Sequence, residues 1–315
     1  MTAKEKFGLS ARILVTLGLL ALLLVKLNPS QLLSRLLSLS IEGTFLAFVA
    51  IFAAILISAW KWGWILRTRK YPLPFVTLLR LYFVGLFFNN VLPTSVGGDA
   101  VRAWETTKET GEVPEAIGSV VSERLIAGVA LGITALLGLP FIEADSRTVQ
   151  MVLAFLVIDV VLVGLFVLPR VADGVVAKTL PARFSNLSGV VSGTVAVVRD
   201  TLRNPRLFVW VLLLSVVFQI CVAAVNAAIF HALGTPVSLA HCIIYTPMIF
   251  TVAMLPISIS GLGVREAAYW YFFSRVGVSE GDAVAASLLF FVLVAVSSLP
   301  GAPLFVFRKA SVQAL

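Results

Sequence analysis

The sequence has few charged residues. Only 13% of its 315 residues are Asp, Glu, Lys or Arg, whereas 59% are hydrophobic and the mean hydropathy is +1.02. A soluble domain carries about 25% charged and roughly 45–50% apolar residues. The apolar residues form continuous runs and do not alternate with polar ones, as they would in the strands of a β-barrel. The composition therefore predicts an integral membrane protein that spans the bilayer with α-helices.

Residues that bind metals or nucleotides are also scarce. The chain has two cysteines, Cys221 and Cys242, and two histidines, His231 and His241. These give neither a disulfide framework nor a zinc site, and no CxxC, HExxH or GxxxxGK[ST] pattern occurs. We therefore expect no cofactor, no metal and no ATPase site. The net charge of +8 is not gathered into a long basic run with interleaved aromatics, so nucleic acid is not an expected partner.

Apolar segments of about 20 residues are long enough to cross a bilayer. The N-terminal one follows basic residues, as in a signal peptide, but no small-x-small cleavage site comes after it, which favours a retained helix. The six segments that qualify or nearly qualify are 11–27, 43–66, 116–140, 149–169, 207–230 and 283–307.

Two further apolar segments, 73–92 and 242–256, end abruptly at Leu-Pro. If 73–92 crossed the bilayer, the six basic residues of 170–206 would lie outside, against the excess of Lys and Arg in cytoplasmic loops. If 73–92 instead enters from the cytoplasm and returns as 97–112, every basic loop lies inside. The same reasoning makes 242–256 enter from the outer side and return as 262–276.

These assignments predict an all-α polytopic membrane protein. It has about eight hydrophobic segments, of which six are crossing helices and two begin re-entrant helical hairpins. We expect it in the cell membrane (inner or cytoplasmic), with both termini in the cytoplasm. Irregular backbone at membrane depth is tolerated only inside protein or beside a water-filled cavity, so the hairpins should line such a cavity.

The tips of the two hairpins share a sequence pattern. Residues 92–102 and 255–265 are identical at six of eleven positions, at a constant offset of 163 residues. The flanking helices correspond too, and the charge argument gives them opposite directions. This predicts an inverted repeat, which in transporters places the binding site between the repeats at Gly/Pro-interrupted segments. Repeat 1 covers about 43–140 and repeat 2 about 207–307 of a single transmembrane domain, 1–315. The alternative is that Pro and Gly merely kink two packed helices.

Each tip carries residue types that suit an anion. The serines are candidate N-caps of the outgoing helices, the glycines allow close approach, and an arginine follows on the next turn. A helix N-terminus with an added arginine can bind phosphate. The open alternative is that Arg102 pairs with Asp99 or Glu105, and Arg265 with Glu266, to lock the hairpins. The predicted binding residues are Ser95, Gly98, Asp99 and Arg102 in the first half and Ser258, Gly261, Arg265 and Glu266 in the second.

Other polar residues at membrane depth are candidate site residues as well, because ionisable groups inside a membrane are costly and commonly mark functional sites. Arg80 lies on the incoming arm of the first hairpin, Asn90 just before its tip, and Glu123 and Arg124 on the following helix. An Arg80–Glu123 pair is feasible. Glu123 is also a candidate for proton coupling, whereas an interhelical hydrogen bond is the expected role of Asp159.

The segment 170–206 is basic and places Val191, Val195, Val198 and Leu202 on one helical face. This pattern predicts a cytoplasmic amphipathic connector that lies against anionic lipids. A simple linker is the alternative.

The hairpin regions also carry two recognisable motifs. The first is Asn-Asn-Val-Leu-Pro with Gly-Gly-Asp and Val-Arg in 89–102, followed by Ser-Val-Val-Ser-Glu-Arg at 119–124. The second is Leu-Pro-Ile-Ser with Gly-Leu-Gly-Val-Arg-Glu in 255–266. Together they resemble the flippase-like family, also called the lysylphosphatidylglycerol synthase transmembrane region, over roughly residues 10–307. The resemblance implies a bacterial or archaeal protein that moves phospholipids or lipid-linked molecules between leaflets, here as a stand-alone region without the aminoacyl transferase domain.

We therefore expect a lipid flippase or transporter and not an enzyme. Its partners are membrane lipids, anionic ones above all, and the sequence is compatible with a homo-oligomer. Two alternatives stay open. One is a membrane enzyme on a lipid-linked substrate, with Asp99, Glu123 and Glu266 as candidate bases. The other is a small-solute or ion transporter, which a hydrophilic cavity closed to lipid would favour.

Overall fold

The computed structural model describes residues 38–92, 96–143, 145–167, 185–254, 258 and 261–307. No strand occurs among these residues, which form α-helices and two short 3-10 helices at Leu139–Phe141 and Ser274–Val276. The α-helices of this part of the chain are α1 (Ile41–Thr68), α2 (Phe75–Val91), α3 (Gly97–Thr110), α4 (Val113–Gly138), α5 (Ser146–Val167), α6 (Ser185–Arg203), α7 (Pro205–Ala232), α8 (Leu239–Met254), α9 (Val264–Phe273), α10 (Glu280–Ser298) and α11 (Gly301–Val306).

Several of these helices are long and apolar enough to cross a membrane. The five candidate spans are Ile41–Thr68, Val113–Phe141, Ser146–Phe166, Pro205–Ala232 and Glu280–Val306. They correspond to five of the six predicted crossing segments, and the sixth, 11–27, lies outside the described residues. The shorter apolar helices α2 and α8 coincide with the two predicted incoming arms. The prediction of an all-α polytopic membrane protein is thus confirmed.

Helices α1 and α7 pack against each other in opposite directions. The backbone N–H of Ser40, just before α1, donates to the carbonyl of Ala232 at the end of α7. Near the other end of α1, the Lys61 ammonium lies 3.3 Å from the Ser215 hydroxyl. Both helices contain 28 residues, and each begins at a side-chain N-cap, Ser40 for α1 and Asn204 for α7.

Helices α2 and α3 form a tight antiparallel hairpin. Near its turn, the N–H of Gly98 donates to Asn89 Oδ1 over 2.9 Å, and at its open end Arg80 donates to Glu109 over 2.7 Å. A Cβ on Gly98 would lie 2.0 Å from the carbonyl oxygen of Gly85, so this approach requires glycine.

Helices α8 and α9 form the corresponding pair in the second half. Gly261 has φ +74°, and a Cβ there would lie 2.9 Å from the carbonyl oxygen of Ala253. The N-cap of α9 is Gly263, so the expectation that Ser258 caps this helix is wrong. In the first half the N-cap position of α3 is Val96, and Ser95 lies outside the described residues.

The two halves interlock through their last helices. Helix α4 packs on α8 of the second half, and α10 and α11 pack on α2 of the first. Gly301 begins α11 against the α2 backbone, where a Cβ would lie 2.2 Å from the Phe83 carbonyl oxygen. A cluster of buried apolar side chains from α1, α4, α5 and α7–α10 forms the largest core.

Helix α6, the described part of the 170–206 connector, packs on α4. Val197 contacts Gly118, and Val198 and Leu202 are buried in an apolar cluster with residues of α1, α4 and α7. Two residues of the predicted apolar face, Val198 and Leu202, are thus covered by protein. The contact of this connector with anionic lipids stays a prediction. Arg69 ties α6 to the end of α1 through an ion pair with Asp200.

Candidate functional site

Five ionisable side chains meet between α1, α3 and α4. Arg102 lies 2.7 Å from Glu123 and 3.3 Å from Asp99. Lys61 lies 3.3 Å from the other carboxylate oxygen of Glu123. Arg124 makes a bidentate contact with Asp99, at 2.8 Å through Nε and 2.9 Å through Nη2. We call these five residues the ion network.

Three members of the ion network are buried, Asp99 is half-buried and Arg124 is exposed. The side chains of Lys61, Arg102 and Glu123 are at most 4% exposed, whereas Arg124 is 45% exposed. Aromatic rings surround the buried cations: Trp62 lies 4.8 Å from the Arg102 guanidinium. Arg124 is therefore the most exposed cation of this group.

A cavity of about 310 Å³ opens at this network, between helices of the two halves. Of the twenty lining residues, fourteen are apolar, and the polar ones are Ser58, Lys61, Tyr82, Glu123, Arg124 and Gln219. A smaller cavity beside it is lined by Asp99, Arg102 and Arg124 together with residues of α2.

The polar lining residues lie at one end of the large cavity. Along α1 the lining runs from Ile51 to Lys61, ten residues or about 15 Å of helix, and becomes polar only at the Lys61 end. Along α4 it is polar at Glu123 and Arg124 and apolar from the next turn to Leu131. The cavity is therefore amphipathic along the helix axes.

The second hairpin holds its arginine differently. Arg265 lies 2.7 Å from Glu266 and donates through Nε to Ser287 of α10 over 2.9 Å. The second oxygen of Glu266 accepts the N–H of Gly263 over 2.6 Å, at the start of α9. The helix N-terminus where we predicted an anion is thus occupied by the protein's own carboxylate. Arg102 and Arg265, at equivalent positions of the repeated sequence pattern, are both ion-paired. This agrees with the alternative that these arginines lock the hairpins.

Two predicted site residues, Arg80 and Asn90, have partners that the sequence did not indicate. The feasible Arg80–Glu123 pair is not formed, because Arg80 pairs with Glu109 at 2.7 Å. Asn90 donates to the hydroxyl of Ser298 on α10 over 3.2 Å. The side chain of Ser258 is buried, and Gly261 lies in the turn before α9.

Lys61 is the member of the ion network that the sequence analysis missed. It lies inside the predicted segment 43–66, and α1 continues to Thr68 and buries Lys61 completely. The signal available was a lysine within a run of apolar and aromatic residues, seven positions before the helix ends.

Asp159 lies on α5 against α4. A Cβ on Gly128, which lines the cavity, would be 3.1 Å from Asp159 Oδ1. Within the described part of the chain, no group of three or more His, Cys, Asp or Glu side chains is arranged to hold a metal ion.

Comparison with known proteins decides the family. The model of the lysylphosphatidylglycerol synthase TM region matches residues 9–301. The chain belongs to this family. Its relatives include the UPF0104 membrane protein PH1989 of Pyrococcus horikoshii, 21% identical over 275 residues that cover 79% of this chain and 82% of that protein. The UPF0104 membrane protein MJ1595 of Methanocaldococcus jannaschii is 35% identical over 89 residues, 27% of this chain and 26% of that protein. Membership confirms the resemblance stated from the hairpin motifs.

Proposed function

We propose that this protein is a lipid flippase or transporter that carries an anionic phospholipid or lipid-linked molecule between leaflets. The observation that carries the proposal is the amphipathic cavity, with Lys61, Glu123 and Arg124 at one end and apolar walls elsewhere. A lipid has the same division between its head group and its chains. The proposed location is the inner membrane, with both termini in the cytoplasm and with no partner required beyond lipid or a second copy.

The packing of the two halves supports an inverted repeat. Helices α1 and α7 have equal lengths and run antiparallel, as a pseudo-two-fold axis in the membrane plane requires. The contact of α4 with α8 has its counterpart in the contact of α10 and α11 with α2. Under this proposal α2–α3 and α8–α9 are the re-entrant hairpins, and the cavity lies at the interface of the repeats.

The apolar walls argue against the solute-transporter alternative. A site for a small hydrophilic solute needs polar groups around the whole ligand, because an unsatisfied polar group in an apolar environment is costly. The large cavity offers polar groups at one end alone. For the enzyme alternative, the candidate bases Asp99, Glu123 and Glu266 are all held in ion pairs.

A reconstitution experiment tests the proposal. The purified protein is placed in liposomes with fluorescent phosphatidylglycerol or phosphatidylcholine, and the fraction of label reached by an impermeant reductant is followed over time. We expect the wild-type protein to expose inner-leaflet phosphatidylglycerol label, and Val222→Phe, which fills the apolar part of the cavity, to slow this exposure. Arg67→Gln, on the exposed end of α1, is the matched control. Rates equal to those of protein-free liposomes for a folded protein, over a range of head groups and ion gradients, would refute transport.

A further inference from the structure

We propose that the ion network of the first half is a receptor for one negative charge, and that the second half holds no anion at the same time. The ligand is a lipid whose head group carries a single net negative charge, such as a phosphodiester, placed at Arg124 with its chains along the apolar walls. This inference deepens the proposed function, because it names the charge of the substrate and the half that binds it.

The first step is the charge balance. Counted in their ordinary ionised forms, the five side chains of the ion network are three cations and two carboxylates, a formal net charge of +1. The other ionisable groups of the α2–α3 hairpin neutralise one another: Arg80 pairs with Glu109, and Lys108 with Glu105. A buried uncompensated charge is costly, so a site of this kind favours a counter-ion of one negative charge.

The second step is access. Arg124 presents five N–H donors, and its two hydrogen bonds to Asp99 use one at Nε and one at Nη2. The remaining donors belong to the one exposed cation of the ion network, and Arg124 lines both cavities. An anionic oxygen can therefore bind the free edge of the guanidinium while Asp99 keeps its position.

The third step is the difference between the halves. Arg265 and Glu266 cancel in charge, and Ser287 of α10 donates to Glu266 at the position where α4 of the first half carries Arg124. Neither Arg265 nor Glu266 lines the large cavity. Among the residues that the structure describes, the two halves thus carry arginines at equivalent positions, but an excess cation lies in the first half alone.

The experiment measures bound lipid and not transport. Protein in mild detergent is mixed with equal amounts of phosphatidylglycerol, with one negative charge, and phosphatidylcholine, with none. The ratio of the two bound lipids is read by native mass spectrometry. We expect the wild-type protein to prefer phosphatidylglycerol, and Arg124→Gln to lower this preference by roughly tenfold or more, because a charge-assisted contact is lost.

Three further variants separate charge from geometry. Lys61→Met removes the excess charge while leaving Arg124 in place, so the preference should fall as in Arg124→Gln. Asp99→Asn raises the network charge, so the preference should be kept or increased. Arg67→Gln lowers the charge of the whole protein by the same amount outside the network, and should behave as the wild type. An unchanged preference in Lys61→Met, or a loss in Asp99→Asn, would overturn the inference.

A soluble competitor distinguishes a lipid from a free phosphodiester. Glycerophosphoglycerol carries the same head group without acyl chains, and should not displace bound phosphatidylglycerol at equal concentration. Displacement would overturn the assignment to a lipid. A charge-dependent lipid preference in a protein without transport activity would support the inference and refute the proposed transport function. Transport by a protein whose lipid preference does not change in the ion-network variants would refute the inference but not the proposed function.

Discussion

The ammonium nitrogen of Lys61 lies 3.3 Å from a carboxylate oxygen of Glu123, and the two side chains are 1% and 4% exposed. The other oxygen of Glu123 contacts Arg102. One carboxylate therefore joins α1, α3 and α4, and its removal leaves two cations without their common partner.

Glu123→Gln should destabilise the protein more than Lys61→Met. Breaking a buried ion pair by removing one partner costs about 3–5 kcal/mol, because the remaining charge is uncompensated. After Lys61→Met, Glu123 still has Arg102, whereas after Glu123→Gln both cations lose their contact. The free energy of unfolding in detergent, from denaturant titration, checks the order. The control Asp200→Asn breaks the exposed ion pair with Arg69 and should cost at most about 1 kcal/mol. Equal losses in both network variants would contradict this account of Glu123.

Gly98→Ala should loosen the α2–α3 hairpin. The new methyl group would lie 2.0 Å from the Gly85 carbonyl oxygen, so the helices must separate. We expect a loss of about 1–3 kcal/mol, which is typical of overpacking. The matched control is Gly164→Ala on α5, where no atom of the described residues lies within 4 Å of the added carbon. Alanine there should stabilise the helix by up to about 1 kcal/mol. Thermal unfolding midpoints of both variants compare the two sites, and a Gly98 variant as stable as the Gly164 one would show that the contact is not needed.

The proposed re-entrant arrangement of α2–α3 and α8–α9 predicts the sidedness of cysteine labelling. In a background without Cys221 and Cys242, Lys70→Cys and Glu112→Cys should react with an impermeant thiol reagent from the same side of the membrane, because the α2–α3 hairpin enters and leaves there. Pro236→Cys and Ser274→Cys, at the ends of the second hairpin, should react together from the opposite side. Right-side-out and inverted vesicles provide the two measurements. Opposite labelling of the first two positions would mean that α2 crosses the membrane.

A contact outside the spans should depend on pH. Hydrogen bonds from Thr148 lower the pKa of the Asp145 carboxyl, and Arg275 of the second half adds a smaller effect at 3.3 Å. Because the folded pKa lies below the unfolded value of 3.8, this stabilisation is present above that value and is lost as the pH falls through the lower, folded pKa. Asp145→Asn should therefore have a lower unfolding midpoint than the wild type at pH 7, and the difference should close on acidification below the unfolded value. A difference that stays constant down to acid pH would exclude this origin.

The sequence predicted the helices well, because chain length and apolar composition control them. A run of about 20 apolar residues must satisfy its backbone internally, whatever its neighbours. The five described spans and the short helices α2 and α8 follow from that constraint. The offset of 163 residues also located the breaks between α2 and α3 and between α8 and α9.

The partners of the charged residues could not be predicted in the same way. Lys61 and Glu123 are 62 positions apart, and Arg80 and Glu109 are 29 apart. Such contacts depend on which helix faces pack together, and that is a tertiary property. For α6, the periodic pattern correctly predicted an apolar face. The pattern did not distinguish whether a lipid surface or neighbouring helices such as α4 would cover that face.

The antiparallel packing of α1 and α7 also has a mechanical consequence. At one end, a Cβ on Gly43 would lie 2.6 Å from the backbone nitrogen of Ala232, so the two helices are in direct backbone contact. At the other end, the rings of Trp60 and Trp64 contact the ring of Trp210 on α7, with centroids 6.2 Å apart in each pair. Rings can turn past one another, whereas touching backbones cannot slide. We therefore expect any rocking of one half against the other to pivot at the Gly43–Ala232 end, with the largest displacement at the tryptophans.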